Sequence, residues 1–128
     1  NPSYNDVTKE IVSYFREKIS KLNKLGFYKI IIDPGFGFGK TIQHNYQLLN
    51  NLNDLTHLKL PILIGVSRKS MIYNLLGTTP QKALNGTSII NTIALQNGAN
   101  ILRVHDVKEA YECIKITTFA KKNCKWNS

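Results

Sequence analysis

The 128 residues, 42% of them hydrophobic and 20% charged, suffice for one small domain with a buried core. No run approaches the roughly 18 apolar residues of a membrane span, so none is expected. The net charge of +9 raises nucleic-acid binding, but the basic residues are nearly all lysines spread evenly along helices, and no nucleic-acid partner is expected.

In chain order, residues 5 to 25 read as a helix. Val7, Ile11, Phe15, Ile19, Leu22 and Leu25 recur at spacings of three and four, and Gly26 supplies a stop. The run YKIIID that follows is short and β-branched, the pattern of a buried parallel strand. After a glycine loop, a second helix is expected over 42 to 55, then a second buried strand, PILIGV. The segment SRKSMIYNLLG reads as a short helix ending at Gly77. Thr79 before Pro80 predicts the cap of a long helix stopped at Gly98. NILRV reads as a third strand, and Asp106 with Glu109 predicts a capping box for a last helix over 107 to 121. The tail from Lys122 to Ser128 is expected to fray.

Strands alternating with helices predict an α/β fold with parallel pairing. Successive strands lie about 32 to 37 residues apart, near one unit of an eight-fold barrel that needs about 250 residues in all. Three such units make less than half of one. Cys113 and Cys124 have neither the spacing nor the histidines of a metal pair, and free thiols in a reducing cytoplasm are the expectation. No secretory signal is read ahead of the first helix.

The loop DPGFGFGKT, residues 33 to 41, superficially suggests a nucleotide site. A phosphate loop needs a glycine five residues before Gly39, with four residues between, ahead of Gly39-Lys40-Thr41, and that position is Pro34. The dinucleotide fingerprint fails as well, because Gly35 and Gly37 are followed by Lys40 where the third glycine belongs. The loop's glycines let backbone turn sharply and approach a ligand closely, and Phe36 and Phe38 would alternate between site and core.

The three strand ends carry the chemistry. Asp33 follows the first, Ser67, Arg68, Lys69 and Ser70 the second, and Arg103, His105 and Asp106 the third. In parallel α/β folds this is the end where sites form. Lys69, Arg103 and His105 favour an anion, and Arg grips phosphate through paired hydrogen bonds. Asp33 suits the N–H groups of a polar heterocycle, although an aspartate before Pro34 also suits a plain turn. His44 and His57 are read as helix and loop residues without a role.

The blocks DPGFGFGKT, LP-x-L-x-GVSRKSMI and ILRVHDVKE, in this order and spacing, resemble the C-terminal half of the dihydropteroate synthase family, which binds pterins. The resemblance covers about residues 4 to 116. It implies a parallel (β/α)8 TIM barrel, of which the chain covers about the last three strand–helix units, so that residues 1–128 form the C-terminal part of one pterin-binding domain. It implies the condensation of 6-hydroxymethyl-7,8-dihydropterin pyrophosphate with 4-aminobenzoate, giving 7,8-dihydropteroate and pyrophosphate.

By the same resemblance, Asp33 accepts from the pterin ring, and Lys69 donates to the pterin beside the aminobenzoate. Ser70 meets the aminobenzoate carboxylate, Phe38 packs on its ring, and Gly65 admits the pterin. Arg103 and His105 grip the pyrophosphate. Mg2+ is expected with the pyrophosphate, on ligands mostly outside this chain. A cytoplasmic homodimer is expected of the full-length protein, and inactivity of these residues alone. A methyltetrahydrofolate-dependent methyltransferase and a non-catalytic fragment of such a barrel are the alternatives.

Overall fold

In the computed structural model, residues 6–37 and 39–124 are described. Helix α1, Val7–Lys24, starts where the Asp6 carboxylate accepts the Lys9 N–H at 3.0 Å. It ends before Gly26, whose φ of 92° is left-handed. Only the start of its apolar stripe is sealed. Val7 is buried, Ile11 and Phe15 pack partly on the core, and Leu22 and Leu25 are exposed.

The expected strand YKIIID is reduced to one bridge, Ile32 beside Ile62. Ile32 is buried, whereas Tyr28 and Ile31 are 67% and 57% exposed, so the run is not a buried strand here. A parallel strand is buried only when both faces are covered. Within the described residues, one face of this segment has no cover.

Helix α2, Ile42–Asn50, is capped by Thr41, whose Oγ1 accepts the His44 N–H at 3.1 Å. It stops five residues short of expectation and passes into a 3-10 turn, Leu52–Leu58. Strand β1, Leu63–Ile64, lies between the Ile32 segment and strand β2, Ile101–Leu102. All pairing is parallel, as the strand–helix alternation predicts. Hydrogen bonds run from Leu63 N–H to the Ile32 carbonyl at 2.7 Å and from Arg103 N–H to the Ile64 carbonyl at 2.9 Å.

Between β1 and β2 stand α3, Ser70–Tyr73, and α4, Leu84–Gln96. Thr79 and Pro80 do not open the long helix. They precede a separate 3-10 turn, Pro80–Lys82, and Thr79 makes no side-chain cap. Helix α5, Val107–Lys122, closes the described order. Asp106 stands at its N-cap without a side-chain cap bond, so the predicted capping box does not form. The last four residues of the expected frayed tail lie outside the described residues.

The core is the space between the strands and α2, α3 and α4. Leu48, Leu52, Leu55, Ile62, Ile64, Val66, Met71 and Ile72 are at most 1% exposed there. Each such side chain contributes about 1.5–3 kcal/mol by leaving water. Tyr46 ties α2 to α3 through its hydroxyl, which donates to the Met71 carbonyl at 2.9 Å. Gly86 lets α4 close on α3, since a Cβ there would overlap Ile72 and Leu76. α5 buries only Ala110 and Thr117 and leaves Tyr111, Ile116 and Phe119 more than half exposed.

Candidate functional site at the strand ends

The parallel pairing sends three loops to one end of the molecule: 33–41 after Ile32, 65–69 after β1 and 103–106 after β2. Asp33 begins the first. Its Oδ1 accepts the Gly35 N–H at 2.9 Å, the turn bond expected of an aspartate before proline. Its Oδ2 lies 4.0 Å from an Arg103 guanidinium nitrogen. The two readings of Asp33 thus coexist, with one oxygen shaping the loop and the other facing a cation. Both side chains remain well exposed, 41% for Asp33 and 63% for Arg103.

Arg103 lies across Gly65. A Cβ at Gly65 would come within 2.9 Å of the guanidinium carbon, so the missing side chain is what admits the arginine. Gly65 therefore meets a protein cation in this structure. His105 is exposed, and its Nδ1 pairs with Ser67 Oγ at 2.7 Å. That leaves Nε2 as the ring nitrogen not committed to Ser67.

The glycine loop is held by side chains on successive backbone groups. Lys40 Nζ donates to the Gly35 carbonyl and Lys69 Nζ to the Phe36 carbonyl, each at 2.7 Å. The Gly37 N–H donates to Asn45 Oδ1 at 2.9 Å, and Gly37 holds a φ of 97° that an L side chain adopts only under strain. Phe36, 1% exposed, anchors the loop in the core. Phe38 lies outside the described residues.

Burial lowers the Lys69 ammonium below the ordinary lysine value, and the neighbouring Arg103 lowers it further while Asp33 opposes. Burial likewise lowers Lys40, again opposed by Asp33. Lys69 is thus electrostatically coupled to both Asp33 and Arg103, and the three sit together as the strand-end argument requires.

A cavity of about 310 Å3 opens beside Lys69, walled by Phe36, Gly37, Arg68, Ser70, Tyr73 and Pro80. Ser70, at the start of α3, is exposed on its rim. A larger open hollow, about 650 Å3, lies among Arg16, Asn23, Lys24, Tyr28 and His57, residues of α1 and of the chain leading into the strands. It contains none of the strand-end residues. His57 is exposed, and His44 is half-buried in the first turn of α2, where its N–H donates to Thr41 Oγ1 at the end of the glycine loop.

Sequence reasoning assigned no role to Lys40, Asn45, Ser67 or Arg68, and gave Asp106 only that of a helix cap, which it does not fill. Arg68 and Asp106 form a forked pair, with nitrogen–oxygen distances of 2.8, 3.0 and 3.1 Å. That pairing holds the Asp106 carboxyl below the usual carboxylate range and raises Arg68. Its advance signal was the placement of an arginine and an aspartate at the ends of adjacent strands. Among the described residues no three of His, Cys, Asp and Glu gather where they could hold a metal ion.

The chain belongs to the pterin binding enzyme family, whose model matches residues 1–105. Within that class its curated relatives include dihydropteroate synthases. The Escherichia coli K12 enzyme is 46% identical over 127 residues, covering 95% of this chain and 45% of that protein. A bifunctional dihydropteroate synthase/dihydropteroate reductase of Helicobacter pylori is 40% identical, covering 91% of this chain and 30% of that protein. Yersinia pestis dihydropteroate synthase, solved with a pterine–sulfa conjugate, superposes with a TM-score of 0.92 at 42% identity, over 97% of this chain and 50% of that one. The Xanthomonas albilineans enzyme, solved with 7,8-dihydropteroate, gives 0.88 at 37% identity, over 94% and 47%. The chain thus spans about half the length of the monofunctional relatives and less than a third of the bifunctional one.

Proposed function

We propose that these residues form the C-terminal part of a pterin-binding (β/α)8 barrel, about its last three strand–helix units, and that the intact protein is a dihydropteroate synthase of folate biosynthesis. The observation that carries this reading is the meeting of Asp33, Lys69 and Arg103 at the parallel strand ends, with Asp33 and Arg103 4.0 Å apart and a cavity beside Lys69. The relatives' names and solved ligands support the same reaction.

The substrates are the pterin pyrophosphate and 4-aminobenzoate. Asp33 Oδ2 accepts pterin N–H groups, and Lys69, already aimed at a carbonyl oxygen, donates to the ring. Arg103 and His105 hold the diphosphate. The carbon–oxygen bond to pyrophosphate breaks and its electron pair leaves with the phosphate, where those two side chains stabilise the growing charge. The aminobenzoate nitrogen forms the new bond to the pterin methylene carbon and then loses a proton. This neutral amine needs placing more than activation. The cavity rimmed by Ser70 suits the aminobenzoate.

Magnesium enters as the companion of the pyrophosphate. The described residues bring no metal-ligand cluster together, so its oxygen ligands would come from the diphosphate, water and residues beyond this chain. A homodimer is proposed for the intact protein, supported by the exposed Tyr111, Ile116 and Phe119 on α5. A cytoplasmic location is proposed from the two free cysteines.

The test follows pyrophosphate release by the intact protein from pterin pyrophosphate, aminobenzoate and magnesium. Turnover should fall about 100-fold or more in Asp33→Ala and Lys69→Ala. Absence of product from the unaltered protein would sink the reading, and pterin binding without aminobenzoate binding would redirect it to methyl transfer.

A further inference from the structure

We propose that Arg68 and Asp106 are positioning residues, a clamp that sets the loop bearing Lys69 and Ser70 against the loop bearing Arg103 and His105. The proposal rests on the functional reading above. Its basis is the register of the sheet. β1 and β2 pair Leu63 with Ile101 and Ile64 with Leu102. At the strand entry, Asn100 Oδ1 accepts the Ile62 N–H at 2.9 Å, a separation of 38 residues.

Beyond β1 and β2 the same separation continues in side chains. The Arg103 guanidinium lies over Gly65. Ser67 Oγ meets His105 Nδ1 at 2.7 Å, and Arg68 meets Asp106, both pairs again 38 apart. A backbone ladder is thus prolonged by a side-chain ladder into the site. Its last rung is the strongest, a charge-assisted fork.

Arg68 is held from three further directions. Its backbone is left-handed, with a φ of 57°, uncommon outside glycine. Its N–H donates to Thr87 Oγ1 at 3.1 Å, and buried Thr87 in turn donates to the Ala83 carbonyl at 2.7 Å. A guanidinium nitrogen also donates to the Pro80 carbonyl at 3.4 Å, across the cavity wall. With all three nitrogens committed to protein oxygens, Arg68 serves the site's geometry rather than a ligand. Lys69 follows Arg68 directly, and Asp106 follows His105, so the clamp adjusts the distance between ring-binding and anion-binding groups.

The experiment uses the intact protein. Asp106→Asn keeps the shape and removes the charge, while Arg68→Lys keeps the charge and removes the fork. Each should lower kcat by about 10- to 100-fold, the scale of a misplacement of an ångström. Amide exchange at Lys69 and His105 should speed at least about tenfold, with the core amide of Ala99 unchanged. The double variant should be no slower than the worse single.

Full turnover in both single variants, or unchanged exchange at Lys69 and His105, overturns the clamp. Slowing accompanied by equal acceleration at Ala99 also overturns it, since that marks general destabilisation. If the unaltered protein makes no product, the functional reading fails, and the exchange measurement alone decides the clamp.

Discussion

Gly65 shows how one missing side chain shapes the site. The Arg103 guanidinium occupies the space a Cβ would need, and the arginine is the flexible partner. Gly65→Ala should therefore swing Arg103 aside with little loss of fold stability. Pyrophosphate binding, followed by calorimetry on the intact protein, should weaken by at least about tenfold, the loss of a charge-assisted contact. Unchanged binding would remove Arg103 from the anion grip. Asn45 is a second such point. Buried and bonded to the Gly37 N–H and the Thr41 carbonyl, it should cost about 1–3 kcal/mol when changed to Ala, read from the denaturant midpoint. Lys69 should titrate below the surface lysines because of burial and Arg103. Arg103→Gln should move it back toward the ordinary value, seen by NMR of methylated lysines. No movement would mean that the two charges do not meet.

At the scale of elements, the Arg68–Asp106 pair links the loops after β1 and β2, and its pH dependence has a defined sign. The Asp106 carboxyl is depressed in the fold, first by its hydrogen bond from Arg68. The unfolded chain, with an ordinary value of about 3.9, binds the proton first as pH falls. The pair's contribution is thus present above about pH 4 and lost as pH drops through the depressed folded value. Asp106→Asn should show less loss of stability between pH 6 and pH 3 than the unaltered protein, by urea unfolding. The helices were readable because their apolar spacing and the stops at Gly26 and Gly98 are local signals. The strand-end grouping of Asp33, Lys69 and Arg103 was readable from element order alone. The exposure of Ile31 was not, because burial of a strand depends on neighbours remote in sequence. Nor was the role of Asp106. Its own helix and Arg68, 38 residues earlier, compete for one carboxylate, and only the fold decides between them.

The whole molecule is sealed on one side and open on another. Leu25, Phe27, Tyr28 and Ile31 form an exposed apolar run beside the Ile32 bridge, and α5 exposes Tyr111, Ile116 and Phe119. Unpaired strand edges and apolar faces of this kind recruit other chains. The isolated 128 residues should self-associate and catalyse nothing, and co-expression with the preceding half of a relative's length should suppress that association, as sedimentation would show. Phe119→Asp in the intact protein should lower its sedimenting mass toward a monomer, and an unchanged mass would exclude α5 from the interface.

The constant 38-residue separation has an evolutionary corollary. Adding or deleting a residue in the crossover between Thr78 and Lys82 changes the count and disturbs the Arg68 bond to the Pro80 carbonyl, but every rung still meets its mate. A single insertion inside 62–68 or 100–106 would slide one rail past the other and present His105 or Asp106 to the wrong neighbour. Length variation among natural homologues should therefore fall in the crossovers, and an alignment with insertions inside 62–68 or 100–106 would contradict the ladder.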